Sequence, residues 1–405
     1  MSTEPTSASS GRFKRWCEGS HRSQLASFRS QATTVDLPKR TVSRASIECS
    51  AETHSFGATH TLENTMSDSL VLEIQRLSFP WQTDDPFLFC VHHRDAFPRG
   101  NEEMGPDASL EGRQIGSDFA GKDGWSMYHG DKVPGFPGHP HRGFETVTVA
   151  RQGFIDHSDS LGATARFGQG DVQWMTAGKG VVHSEMFPLV DRESPNTGEL
   201  FQIWLNLPSK DKFADPHFAM LWNESIPVVT VGEGPRAVVR VIAGRFGDAT
   251  PPPPPPNSWA TVPEHAVAIW SIHLDEGASV ELPVAPDGTR RSVYVFGNEG
   301  LDIGAHTVPT GHRAQVRVDA PVALRAANGA TEALVLQGRP IGEPVAQMGP
   351  FVMNDRRQLE QAYLEYQRTG FGGWPWDRPD PVHPRDAGRF AVHVDGRREE
   401  PPGAA

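Results

Sequence analysis

Gly138-His139-Pro140-His141-Arg142-Gly143-Phe144-Glu145-Thr146-Val147 and, further along, Gly170-Asp171-Val172-Gln173-Trp174-Met175-Thr176-Ala177-Gly178-Lys179-Gly180-Val181-Val182-His183-Ser184-Glu185 carry the most informative pattern in the chain. Each segment holds two potential ligands at i and i+2. Along a strand those positions share a face. His139 and His141 can therefore converge on one point, as can His183 and Glu185. The strand reading comes from the short runs beside them, Glu145–Ala150 and Val172–Met175, which are bounded by glycine. Moving outward, similar runs recur at Phe87–Val91, Phe201–Leu205, Ala237–Ile242, Ala266–Leu274, Ser292–Phe296 and Ala333–Gln337. Gly, Pro, Asp and Asn separate them. That spacing predicts an all-β protein built as an antiparallel sandwich or barrel.

Composition agrees. The 405 residues include 40 Gly and 35 Pro, which long helices tolerate poorly and many short strands require. A formal net charge of −12 argues against direct electrostatic binding to nucleic acid. There is no apolar run long enough to span a bilayer, so no membrane partner is expected. Cys17, Cys49 and Cys90 are too few and too scattered for a disulfide framework or a thiolate zinc site. They fit a reducing compartment, and a cytoplasmic location is the expectation.

Residues 1–66 differ from the rest. Ser and Thr are abundant, charges of both signs alternate, and no period of 2 or 3.6 is sustained. Such a stretch buries too little surface to offset its ordering entropy, which predicts a disordered extension. It lacks the apolar core of a secretory signal, and Glu18, Asp36, Glu48 and Glu52 weigh against a transit peptide. Met66-Ser67-Asp68-Ser69 reads as an ordinary start. Two domain-sized regions follow, at 67–212 and 226–374. Pro251–Pro256 reads as an exposed stiff loop. One helix is expected at Asp355–Arg368, capped by Asn354, with Leu359, Ala362, Tyr363 and Tyr366 on one face and Gly370 as its stop. Residues 375–405 read as an irregular tail.

Three imidazoles and a carboxylate make a nitrogen- and oxygen-rich ligand set. Iron, manganese, nickel, copper and zinc all remain open on that basis. Four protein ligands around a six-coordinate ion leave two positions for a chelating substrate or dioxygen.

The two quoted segments resemble the pirin family. So do Gly338-Arg339-Pro340-Ile341-Gly342-Glu343-Pro344, Gly349-Pro350-Phe351-Val352-Met353-Asn354, the helix, and Phe371-Gly372. The resemblance covers roughly 70–374. It implies a bicupin of two jelly-roll barrels, with one iron, expected as Fe2+, held in the first barrel by His139, His141, His183 and Glu185. Glu145 stands where many cupins place a carboxylate ligand, and is expected to orient a histidine from outside the ligand set. The stretch Phe79–Gly130 departs from the family's usual opening, so a different pocket rim is expected. Arg142 is read as pairing with a surface carboxylate rather than binding an anion. Gln173, Trp174 and Met175 are read as barrel packing and pocket lining, and Lys179 as a turn residue. His157 and Asp159, also at i and i+2, are read as polar strand-end residues apart from the site. The second barrel has His273, His306 and His312 but no His-x-His. Thr289-Arg290-Arg291-Ser292 stands where a ligand pair would be, so this barrel is expected to be structural.

The resemblance implies two functions. One is a flavonol-cleaving quercetin 2,3-dioxygenase, with dioxygen as co-substrate and Glu185 as base. The other is an iron-dependent regulator whose metal state alters a surface for a transcription factor or enzyme partner.

Overall fold

The computed structural model describes residues 69–403. The extension expected at 1–66, with Cys17 and Cys49, lies outside the described residues. Leu70 to Gly403 belong to one compact unit.

Two antiparallel barrels make up this unit. The first has two six-stranded sheets. One runs in the order Arg398–Glu399, Phe390–Val392, Thr164–Gly168, Phe154–Asp159, Val181–Met186, Gly135–His141. The facing sheet runs His217–Leu221, Val172–Thr176, Phe144–Gln152, Asn196–Asn206, Phe87–Phe97, Trp81–Gln82. Phe97, Ile155, Phe167, Met175, Val181 and Leu200 fill the space between them. The second barrel pairs a seven-stranded sheet, Val71–Arg76 to Val228–Val231 at its edges, with a four-stranded one. Its core contains Val239, Trp270, Ile272, Val293, Ala314, Leu324 and Val335.

The alternation along Asn196–Asn206 explains how the barrels join. Leu200, Gln202 and Trp204 alternate with Phe201, Ile203 and Leu205, so the two sets face opposite ways. The second set packs with Val147, Val149 and Trp174 against Ile269, Tyr294, Leu334 and Leu336 of the other barrel. This sheet is covered on both sides, and burying each such side chain stabilises the pair by roughly 1.5–3 kcal/mol.

Several expectations need correction. Val71–Arg76, placed in the first region by the 67–212 boundary, pairs with His312–Val316 of the second barrel. Its alternation marks a strand but does not name a partner, and Val71 enters the second core. The tail after 374 is not wholly irregular. Phe390–Val392 pairs with Thr164–Gly168, and Arg398–Glu399 pairs with Phe390–Val392. Pro251–Pro256 is not simply exposed, because Pro255 is buried.

The helix spans Arg356–Thr369, with Asp355 rather than Asn354 as its cap. Asp355 is extended, and its Oδ1 accepts from Gln358 N at 2.8 Å. The Asn354 amide instead donates to Glu343 and to the Pro344 carbonyl. Leu359 and Ala362 are buried as expected, Tyr363 and Tyr366 pack beside them, and left-handed Gly370 ends the helix. Among the described residues no helix is long and apolar enough to cross a membrane.

Candidate metal centre

Gly135–His141 and Val181–Met186 are direct antiparallel neighbours, with His139 opposite His183. The two ligand segments therefore converge within a single strand pair, without intervening strands. A register irregularity between Phe136 and His139 adjusts the first strand just before its histidines. Glycines set the turns beside them. A Cβ on Gly143, at φ 84°, would lie 2.0 Å from the Val352 carbonyl oxygen. A Cβ on Gly180, at φ 130°, would lie 2.7 Å from the Phe371 ring. Only glycine permits both conformation and approach.

The imidazoles of His139, His141 and His183 form a close triangle. Ring centroids are 4.8 Å apart for His139–His141, 4.5 Å for His139–His183 and 4.8 Å for His141–His183. Their candidate ligand atoms all lie within 4.8 Å of one another. His139 Nδ1 is 3.0 Å from the Pro137 carbonyl, which can only accept. Nδ1 therefore carries the hydrogen and Nε2 keeps its lone pair. Neither ring nitrogen of His183 has a hydrogen-bond partner, and those of His141 make no well-formed hydrogen bond. Buried nitrogens left this way are costly unless something else coordinates them. Burial pushes the imidazolium form of His139 down to about 4 and those of His141 and His183 well below the usual range, with neighbouring imidazoles adding to the effect. All three are neutral near pH 7, the form that binds metal. The donors present thus fit a divalent cation.

Glu185 borders this triangle without joining its tight group. Its Oε2 is 3.8 Å from His183 Nε2 and accepts from Gln202 Nε2 at 2.8 Å. Thr148 Oγ1 donates to Oε1 at 3.4 Å. Burial raises the Glu185 carboxyl above its usual range, opposed by His157, Gln202 and Thr148. Trp204 lies 5.3 Å from the His141 ring and stacks on Phe144 at 3.9 Å, giving the site an apolar wall.

Glu145 does not touch a histidine in the way expected. It is fully buried and accepts from Thr176 Oγ1 at 2.6 Å and Ser258 Oγ at 2.5 Å, beside the proline loop. Burial raises its carboxyl to about 7. His157, expected apart from the site, sits at its edge. It is fully buried, opposite Glu185 in the strand pairing, with its ring 5.4 Å from His183. Asp159 is opposite His183. The signal was present as a third i, i+2 pair, but only the pairing of Phe154–Asp159 with Val181–Met186 gives it meaning.

Arg142 is buried, donates to the Lys179 carbonyl and pairs with Glu365 on the helix at 2.9 Å, as the carboxylate reading expects. Lys179 pairs with Asp215 at the surface. Gln173, Trp174 and Met175 are all buried. In the second barrel Arg291 is fully buried, donating to Gln337 and the Pro283 carbonyl, while Ser292 bonds to Asp84.

Two packed antiparallel barrels, with a histidine triangle inside the first, define a bicupin. The pirin family model matches residues 113–205, and the model of the pirin C-terminal cupin domain matches 269–372. A Pseudomonas aeruginosa protein named "Putative quercetin 2,3-dioxygenase" is 38% identical over 234 residues, covering 58% of this chain and 78% of its own. A pirin-like protein of Solanum lycopersicum is 34% identical, covering 58% and 77%. The crystal structure of a quercetin 2,3-dioxygenase from Acinetobacter baumannii is similar with a TM-score of 0.60 and 26% identity, covering 75% of this chain and 98% of its own. The chain belongs to the pirin family.

Proposed function

We propose that the protein is a metal-dependent dioxygenase that cleaves flavonols such as quercetin, with Fe2+ held by His139, His141, His183 and Glu185. The observation that carries this reading is the close triangle of neutral imidazoles in which the buried His183 has no hydrogen-bond partner at either ring nitrogen, with a carboxylate at its edge. The named relatives supply the substrate class. Manganese, nickel, copper or zinc would suit the same donors.

When bound, the metal supplies Lewis acidity and open positions that bring a chelating hydroxy-ketone and dioxygen together. The protein's own groups do the rest. Glu185, raised by burial, is suited to take the proton from the flavonol 3-hydroxyl. Gln202 holds Oε2 and so fixes the carboxylate's direction. Trp204 and Phe144 exclude water on the His141 side. The deprotonated flavonol then reacts with dioxygen, its central ring opens and carbon monoxide is released.

The regulator reading draws on Arg142, which ties the strand of His141 to Glu365 on the helix surface. The deciding experiment is anaerobic purification with metal analysis, followed by oxygen uptake and loss of flavonol absorbance with quercetin. Glu185→Gln should keep the fold and lose most turnover. A metal-loaded protein that turns over no flavonol favours regulation.

A further inference from the structure

The facing sheet carries a second polar device near the histidine triangle. His93 lies on the strand Phe87–Phe97, opposite Leu200, and Val91 lies opposite Gln202. Residues two apart share a face, so His93 looks into the barrel from the same side as Gln202, which binds Glu185. Phe136 bridges the two, 6.2 Å from the His139 ring and 6.0 Å from His93. Tyr128 stacks on Phe136 at 5.1 Å, and Phe119, about half exposed, meets Tyr128 edge-on at 5.5 Å. Phe119 and Tyr128 come from the stretch whose sequence departs from the family's usual opening.

Hydrogen bonding fixes the His93 tautomer. Tyr128 Oη donates its one hydrogen to Asp95 Oδ2 at 2.7 Å, and Ser126 N donates to Asp95 Oδ1 at 2.9 Å. Burial raises Asp95 only to about 6, so it is a carboxylate at neutral pH. Tyr128 Oη must then accept from His93 Nδ1, 2.9 Å away. Burial lowers His93 to about 4, so the ring is neutral and Nε2 is left as an acceptor. Nε2 has no protein partner among the described residues and is not sealed off. His93 and Asp95 line a cavity of about 470 Å³ shared with Phe187.

We propose that His93, oriented by the Tyr128–Asp95 pair, determines specificity: its Nε2 accepts a hydrogen bond from a hydroxyl on the part of an aromatic substrate remote from the histidine triangle. For a flavonol this is the pendant ring. The proposal rests on the flavonol reading of the site.

The test compares quercetin with galangin, which lacks the pendant-ring hydroxyls, by calorimetric binding to the full metal-loaded chain without oxygen. The full chain should prefer quercetin by about tenfold, the effect of one hydrogen bond. His93→Phe should bring that ratio close to one while galangin affinity stays within about twofold. Tyr128→Phe, which keeps His93 but frees its tautomer, should also narrow it. Melting temperatures confirm that each variant is folded. Equal binding of both flavonols by the unmodified chain, or an unchanged ratio in folded His93→Phe, overturns this proposal alone. Failure to bind either flavonol overturns it together with the flavonol reading.

Discussion

Gln202 links Glu185 to Trp204: its amide donates to Glu185 Oε2 at 2.8 Å, and its oxygen accepts from the Trp204 indole at 3.3 Å. The hydrogen bond favours the ionised carboxylate, against the burial that raises it. Gln202→Leu should therefore raise Glu185 further. A raised carboxyl holds its proton to higher pH, so metal loading should fail earlier as pH falls. The pH of half-loading should move up by about one unit, the effect of one bond to a charged group. Equilibrium dialysis with metal analysis across pH 5–8 reads the shift; an unchanged midpoint would separate Glu185 from the metal.

The histidine triangle should cost the metal-free protein stability. His183 is fully buried with both ring nitrogens unpartnered. His183→Leu should abolish metal binding yet raise the metal-free unfolding free energy by about 1–2 kcal/mol. The double variant His141→Ala, His183→Ala should be metal-free by elemental analysis. Normal metal content in that folded double variant would remove these residues from the ligand set.

Glu145 makes a separate pH prediction. Below its ordinary value of 4.5 the carboxyl is protonated in both folded and unfolded chains and has no effect. Between 4.5 and about 7 the folded chain keeps a proton that the unfolded chain has released. Stability falls as pH rises through that window, and the cost is complete above it. Glu145→Gln should remove this slope. Between pH 5 and 8 the unmodified chain should lose on the order of 2–3 kcal/mol more than the variant in urea unfolding.

Truncation from either side should distinguish neutral from structural segments. A chain beginning at Met66 retains Val71–Arg76 and should melt as the full chain does. Beginning after Arg76 removes an edge strand of the second barrel and should lower the melting temperature by several degrees. Ending at Gly373 should be worse. It removes the Pro379 carbonyl that accepts from Gly138 N at 2.7 Å, one residue before His139. It also strips the buried Arg166 guanidinium of the carbonyls of His383, Pro384, Arg385 and Ala387. Faster hydrogen exchange at Gly138 and reduced metal content are the expected readouts.

The sequence revealed the parts whose signals are local. Strand geometry brings His139, His141 and His183 together, with Glu185 at their edge, and the glycines beside them mark the turns. What stayed hidden depends on partners distant in sequence. Nothing in Val71–Arg76 names His312–Val316. Phe390-Ala391-Val392 is too short to alternate visibly among its Pro, Arg and Asp neighbours. Glu145 sits where a ligand carboxylate is common, yet its partner Ser258 comes from beyond the proline loop. His157 and Asp159 had the right spacing, but their relation to Glu185 and His183 is a matter of register.

The crossed strands have a consequence during synthesis. Chains leave the ribosome from the N-terminus, and domains usually fold as they emerge. Here the earliest described strand, Val71–Arg76, waits for His312–Val316, while Thr164–Gly168 waits for Phe390–Val392. Most strands of the histidine-bearing barrel emerge before its sheet is complete. Nascent chains should thus hold their three histidines in an unfinished sheet, and metal loading belongs after Phe390–Val392 has emerged, when both barrels can close together.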